Sequence, residues 1–112
     1  MDADPMNRSE LVANLQKYPS MFGLDGSYSM YVAFFRGYEI GADAEWLRGF
    51  RDWLVRDLGY GQNLGWESLI IRAAMPGRSD HWQLFGPRDE ETEQALTETL
   101  FRRLEEFDLM FP

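Results

Sequence analysis

The sequence predicts an all-α protein, a compact bundle of about five helices that forms a single domain over residues 1–112. A chain of 112 residues has room for one hydrophobic core, and its hydrophobic content of 45% supplies the side chains to fill it. Apolar residues recur three and four positions apart in five segments, which is the periodicity of amphipathic helices. Proline and glycine separate these segments, and short loops favour neighbouring helices that lie roughly antiparallel.

The first helix follows a start, residues 1–6, that we expect to be frayed. Asn7 and Glu10 have the spacing of a capping box, with Asn7 as the N-cap. Pro19 ends this helix because proline lacks the amide donor and clashes with the preceding turn. Residues 20–26 are expected to form a loop.

The second helix is predicted to begin at Ser27 or Ser29 and to end near Gly41. A strand is the competing interpretation, because tyrosine, valine and phenylalanine favour sheets. Helix is preferred because the apolar residues do not alternate and the segment exceeds the usual strand length. Gly37, inside this helix, is expected either to allow a close helix approach or to mark a kink.

The third and fourth helices are predicted from their amphipathic spacing and from the residues that bound them. Asp43 is expected to cap the third helix, and the glycine at position 59 stops it. Asn63 is expected to open the fourth helix, which ends at Pro76. A short buried strand is the alternative for the apolar triplet in the fourth segment.

The last helix is predicted to begin at Asp89, after a longer loop over residues 77–88. It carries eight carboxylates between Asp89 and Asp108. Those of the first turn complement the helix dipole. Five others are not explained in that way: Glu93, Glu98, Glu105, Glu106 and Asp108.

Composition excludes several classes of function. The chain has 19 acidic and 11 basic residues, a net charge of −8, so most of its surface would repel nucleic acid. It has no cysteine and one histidine, which excludes disulfide scaffolds, thiolate metal sites and mechanisms that need two histidines. No apolar run approaches the roughly 20 residues that span a bilayer, and residues 1–5 are acidic where a signal peptide is basic. We therefore expect a cytoplasmic protein without cofactor or bound metal.

Two groups of residues are candidates for catalysis. His81 lies between Asp80 and Trp82 and could serve as a general acid or base, but no motif supplies a nucleophile or a second acid. Glu39 and Asp43 are four residues apart, and a capping role explains Asp43 better than a metal site. We expect no catalytic residue, and an enzyme that uses two carboxylates is the less favoured alternative.

The acidic last helix and the loop aromatics are the candidates for partner binding. The acidic side chains form either a solvated face or a negative patch that steers a basic partner. Exposed aromatics beside acidic residues suit a protein interface, although they could equally close the ends of the bundle. Six residues are selected on charge and exposure: Tyr60, Asp80, Trp82, Glu91, Glu98 and Glu105.

Four segments carry a resemblance to a known family: Tyr18–Gly23, Phe34–Glu39, Gly49–Leu54 and Trp66–Ile70. With the acidic last helix, they resemble a family of small bacterial proteins. Its pattern is an R-P-G-M-Y start, an aromatic helix ending in G-Y, a G-F-x-x-[FW]-[LV] helix and a W-x-x-[IL]-I segment. The resemblance covers residues 9–108. Tyr18, Ser20 and Phe22 depart from it, where the family has arginine, glycine and tyrosine.

Members of that family occur among the immunity proteins of polymorphic toxin systems. The resemblance implies a cytoplasmic protein that neutralises a cognate toxin by binding. Its acidic face would cover a basic active-site cleft and exclude the substrate. The alternative is a helical interaction module of another kind, such as a homodimer held together by surplus aromatic surface.

Overall fold

The structure, a computed structural model, describes residues 7–42, 44–76 and 88–111, and these form five α-helices and one short 3-10 helix. The helices are α1 (Arg8–Lys17), α2 (Tyr28–Gly41), α3 (Trp46–Leu58), α4 (Trp66–Ala74) and α5 (Glu90–Met110), and the 3-10 helix is Pro19–Phe22. No strand occurs in the described ranges, and the all-α fold class is confirmed. The predicted fraying of residues 1–6 lies outside them.

Helix α5 is the centre of the bundle, because each of the other four helices packs against it. Its 21 residues make it about 31 Å long. Six of its side chains are buried: Leu96, Thr99, Leu100, Phe101, Leu104 and Phe107. At 3.6 residues per turn these positions cover about 200° of the circumference, so the solvent-facing strip of α5 is slightly less than half of it.

Aromatic side chains fill much of the core. The ring of Phe35 meets Trp66 and Trp46 edge to face, at centroid distances of 6.0 and 6.3 Å. Such pairs contribute about 0.5–1.5 kcal/mol each beyond their area burial. The buried tyrosines of α2 also satisfy their hydroxyls, since Tyr28 donates to the Glu67 carbonyl at 2.7 Å and Tyr31 to the Leu15 carbonyl at 2.8 Å. These bonds tie α2 to α4 and to α1.

A polar joint connects α2 to α5. One carboxylate oxygen of Glu93 accepts the backbone amide of Tyr28 at 2.7 Å, and the other accepts from Arg88 at 2.6 Å. The Arg88 side chain is 8% exposed, and its guanidinium lies 5.7 Å from the centroid of the Tyr28 ring. Glu93 therefore places negative charge at the N-terminus of α2, where the helix dipole favours it.

The predicted N-cap at Asn7 is confirmed, and the helix starts predicted at Ser27 or Ser29 and at Asp89 are found at Ser27 and Asp89, which both act as N-caps. Asn7 accepts the amide of residue 10 at 2.9 Å, Ser27 accepts that of residue 30 at 3.3 Å, and Asp89 accepts that of residue 92 at 2.7 Å. Each of these side chains satisfies one amide that the first turn of a helix leaves without a partner.

Two predicted helix starts and part of one loop are wrong. Helix α3 begins at Trp46, because the amide of Ala44 still bonds to the end of α2 at 3.1 Å and delays the new helix. The cap predicted for α3, Asp43, lies outside the described residues. Helix α4 begins at Trp66 rather than at Asn63, because a turn occupies residues 61–64. The predicted loop over residues 20–26 begins inside the 3-10 helix.

Gly37 neither interrupts α2 nor meets a neighbouring helix. Helix α2 continues through it, and a Cβ built there would meet nothing within 4 Å. Of the two roles offered for Gly37, the close helix approach is therefore wrong, and α2 shows no break at that position.

Candidate functional site

The five α5 carboxylates predicted to lie beyond the first turn fall into two groups, although one of them, Glu93, lies in the first turn of α5 in the structure. Three are paired with arginines inside the fold: Glu93 with Arg88 at 2.6 Å, Asp108 with Arg8 at 2.7 Å, and Glu106 with Arg103 at 3.1 Å. The other two, Glu98 and Glu105, make no ion pair within the described residues. Arg88–Glu93 and Arg8–Asp108 connect α5 to other parts of the fold, whereas Arg103–Glu106 lies within α5 itself, and Glu98 and Glu105 stay exposed.

Glu98 and Glu105 line up with a carboxylate of the first turn, Glu91. All three are exposed and are spaced seven residues apart, so they lie two turns apart along the solvent-facing strip of α5. Glu98 accepts a hydrogen bond from Gln94 at 3.0 Å, and neither Glu91 nor Glu105 has an ion-pair partner in the part of the chain that the structure describes. We call Glu91, Glu98 and Glu105 the acidic stripe.

A groove runs beside the acidic stripe, between α1 and α5. It consists of two clefts of about 290 and 220 Å³ that share Gln16 and Phe101. The α1 side is formed by positions three and four residues apart: Ser9, Val12, Ala13 and Gln16. The α5 side is formed by Thr97, Glu98, Phe101, Leu104, Glu105 and Asp108. We call this feature the α1–α5 groove.

The α1–α5 groove combines an apolar floor with an acidic rim. Val12 from α1 and the buried Phe101 and Leu104 from α5 form the floor, while Glu98 and Glu105 stand on the rim. A cation about 4 Å from a carboxylate gains about 1 kcal/mol in bulk water and about 4 kcal/mol near a protein surface of effective dielectric constant 20. An apolar floor beside the carboxylates therefore favours a cationic side chain that brings apolar surface with it.

An arginine of the chain itself, Arg8, stands at one end of the groove, where a further cleft of about 380 Å³ adjoins it. The Arg8 guanidinium lies 5.7 Å from the Trp46 ring centroid and 5.3 Å from that of Phe107, and it also bonds to Asp108. Hydrogen bonds from Ser9 and Arg8 hold the pKa of the Asp108 carboxyl below its usual value, so that it stays ionised beside the arginine. This cluster joins the first turn of α1 to the last turn of α5.

Arg102 is the one basic residue on the exposed strip of α5 among the described residues. It lies one turn from both Glu98 and Glu105. The α5 residues that face the groove, Phe101 and Asp108 among them, lie on the opposite side of the stripe from Arg102, by helical geometry. The groove side of the strip is therefore more negative than its far side.

The other selected residues stand apart from this surface or outside the described ranges. Tyr60 is 38% exposed, its ring lies 5.8 Å from the Arg72 guanidinium, and it does not line the groove. Asp80 and Trp82 lie outside the described residues, as does His81. The α1 side of the groove was missed by sequence reasoning, although Ser9, Val12, Ala13 and Gln16 share one helix face and could have been grouped by that spacing.

The titration behaviour of two described carboxyl groups bears on acid–base chemistry. A hydrogen bond from Ser27 lowers the pKa of Asp25, and the pKa of Asp108 is lowered as described above. A general acid at neutral pH requires a shift in the opposite direction. Within residues 7–42, 44–76 and 88–111, moreover, no three histidine, cysteine or acidic side chains come together as a metal site would require.

Comparison with known proteins gives no further assignment. No protein-family model, no curated protein and no solved structure matches the chain at a significant level. None of the helices in the described ranges combines the length and the apolar character needed to cross a membrane.

Proposed function

We propose that this protein is a binding protein that presents the acidic stripe to the basic surface of a partner protein. The role that fits best is that of a cytoplasmic immunity protein, which occludes the active site of a cognate toxin. A toxin that acts on phosphate-bearing substrates must attract anions to its active site, and the same basic cleft attracts an acidic inhibitor.

One observation carries the proposal. The fold pairs Asp108, Glu93 and Glu106 with Arg8, Arg88 and Arg103, yet it leaves Glu98 and Glu105 exposed in line with Glu91. Solubility alone requires exposed charge but does not require its alignment at a spacing of two turns.

Electrostatic steering explains how such a surface would act. A negative surface facing a positive cleft raises the association rate by about 10–1000-fold at low salt. Once the partners dock, apolar contact beside the charges slows dissociation, because it removes water from them. Inhibition then follows from occupation of the cleft and needs no bond-making by the acidic protein.

The experiment pairs a stripe variant with a control of equal charge. Glu91→Lys with Glu98→Lys takes the net charge from −8 to −4, because each substitution adds two units. Glu45→Lys with Asp52→Lys makes the same change of charge at two exposed positions, one directly before α3 and one in its middle, where Asp52 forms only an exposed pair with the adjacent Arg51. Association with the purified product of the adjacent gene is measured by stopped-flow fluorescence at low ionic strength.

We expect the stripe variant to associate roughly ten-fold or more slowly, with a weaker salt dependence, and the control to stay within about three-fold of the parent protein. Unchanged far-UV circular dichroism would show that both variants remain helical. Equal rates for the two variants would contradict the proposal, because total charge rather than the acidic stripe would then govern association.

A second function is favoured by a different surface. Leu109, Met110 and Phe111 are all exposed at the end of α5, with Leu109 at 78%. Self-association through this apolar end would make the protein a homodimeric module. Sedimentation equilibrium of the purified chain distinguishes the two functions, since an inhibitor acting as proposed is expected to sediment as a monomer.

A further inference from the structure

We infer that the α1–α5 groove receives a basic amphipathic helix of about three turns from the partner. This inference rests on the proposed function and specifies the kind of segment that the partner contributes. It is drawn from the length of the groove, from the spacing of the acidic stripe and from the apolar floor between the two helices.

The length of the groove sets the length of the segment. On α5 the groove extends from Thr97 to Asp108, a separation of eleven residues or about 17 Å. Three turns of helix have the same length. Arg8 and its cluster stand at one end, and Pro19 and Gly26 line the other.

The spacing of the rim carboxylates indicates that the partner segment is a helix rather than an extended chain. Glu98 and Glu105 are seven residues apart, or about 10.5 Å along α5. A helix that lies alongside α5 presents basic side chains at the same spacing when they too are seven residues apart, as in coiled coils. An extended chain covers about 10 Å with three residues, and side chains three apart on a strand point to opposite faces.

The apolar floor accounts for the second face of the segment. Val12, Phe101 and Leu104 lie below the rim, and the small side chain of Ala13 leaves the α1 wall open. Apolar residues of the incoming helix would cover this floor, while lysine or arginine stems pack across it and carry their charges to Glu98 and Glu105. A purely polar cation would leave the floor exposed to water.

Arg8 restricts where along its length the segment can carry positive charge. Its guanidinium already occupies the end of the groove beside Asp108 and Trp46. A basic residue of the partner placed there would face like charge. We therefore expect the basic residues of the segment opposite Glu98 and Glu105, with an uncharged residue opposite Arg8.

The probe is a fluorescein-labelled peptide of about twelve residues with a leucine face flanked by two lysines seven residues apart. A scrambled peptide of the same composition, in which leucine and lysine no longer share a face, is the peptide control. Binding to the full chain is measured by fluorescence anisotropy at low ionic strength. We expect the scrambled peptide to bind at least about ten-fold more weakly.

Two groove variants and one matched control test whether the peptide binds in the α1–α5 groove. Ala13→Trp fills the groove without changing the charge, and Gln16→Lys adds a positive charge at a residue that lines both clefts. Ala33→Trp places the same large side chain at an exposed position of α2 that lines neither cleft. We expect Kd for the amphipathic peptide to rise roughly ten-fold with Ala13→Trp, at least about three-fold with Gln16→Lys, and less than two-fold with Ala33→Trp.

The inference is overturned if both peptides bind equally or if neither groove variant raises Kd more than Ala33→Trp does. The proposed function would survive that result provided that Glu91→Lys with Glu98→Lys still slows association with the partner protein. Failure of the stripe variant, by contrast, removes the proposed function and the groove inference together.

Discussion

At the scale of single residues, Gly37 and Gly61 occupy opposite environments. Gly37 lies at an exposed position inside α2, with open space where a Cβ would stand. Gly61 has a φ of +90°, and a Cβ there would lie 2.5 Å from Leu69 Cδ2. Alanine therefore suits the helical position and is strained in the turn, both by the backbone and by the neighbouring leucine.

We predict that Gly37→Ala raises the free energy of unfolding by about 0.5–1 kcal/mol, since it restricts the unfolded chain and favours helix. Gly61→Ala is expected to lower it by more than about 1 kcal/mol. Urea denaturation followed by circular dichroism measures both. A loss of stability in Gly37→Ala would show that the helix needs the glycine for a contact that the structure does not contain.

Asp108 gives a pH-dependent prediction. The hydrogen bonds from Ser9 and Arg8 lower its pKa in the folded protein, so the ionised form stabilises the fold. This contribution is complete above the unfolded-state value of about 4 and is lost as the pH falls through the lower folded-state value. We expect Asp108→Asn to be less stable than the parent at pH 7, and the difference to shrink as the pH falls below about 4. A constant difference across thermal melts from pH 7 to pH 2 would show that the ionisation of Asp108 does not contribute.

The residue scale also shows where local sequence rules suffice. Asn7 is an N-cap as the sequence predicts, and Ser27 and Asp89 cap helices at predicted starts, because a cap bonds to an amide only three residues away. The start of α3, by contrast, departs from the prediction, because the chain leaving α2 remains bonded to Glu39 through the amide of Ala44. That bond depends on how the two helices are connected, and the identity of a single cap residue does not predict it.

At the scale of helices, Glu93 and Glu98 look alike in the sequence but differ in the fold. Both are glutamates of α5, five residues apart. Glu93 meets the start of α2, 65 residues away along the chain, whereas Glu98 meets solvent. The division of α5 carboxylates into structural and free groups therefore depends on which helix packs on which side. For the same reason the α1–α5 groove could not be predicted, although its α1 face is periodic.

Glu93 leads to a prediction about the α2–α5 joint. Glu93→Ala leaves the 8%-exposed Arg88 without its carboxylate and the Tyr28 amide without its acceptor. We expect a loss of about 2–3 kcal/mol in the free energy of unfolding. Glu93→Gln keeps an acceptor for the amide, and about half of that loss is expected. Guanidinium unfolding curves measure both, and equal losses would show that the hydrogen bond to Tyr28 contributes little.

At the scale of the whole molecule, the fold determines where the excess negative charge lies, whereas the composition gives only its total. Arg8, Arg36, Arg51, Arg88 and Arg103 all lie in ion pairs with acidic side chains of the chain. These pairs neutralise charge within the bundle or at its joints. Much of the net charge of −8 therefore falls on exposed carboxylates without ion pairs in the described ranges, among them the acidic stripe.

Arg102 tests whether this placement or the total charge governs association. Arg102→Glu and Arg48→Glu each change the net charge from −8 to −10, since each replaces a positive by a negative group. Arg102 shares the exposed strip with Glu98, whereas Arg48 lines a different cleft beside Trp66. We expect Arg102→Glu to raise the association rate with a basic partner about three-fold at low ionic strength and Arg48→Glu to change it much less. Near 1 M salt the screening length falls to about 3 Å, so both rates should return to the parent value. Equal acceleration by the two substitutions would instead assign the effect to the overall charge of the molecule. Only a local electrostatic field would make a charge change beside the acidic stripe differ from the same change on α3.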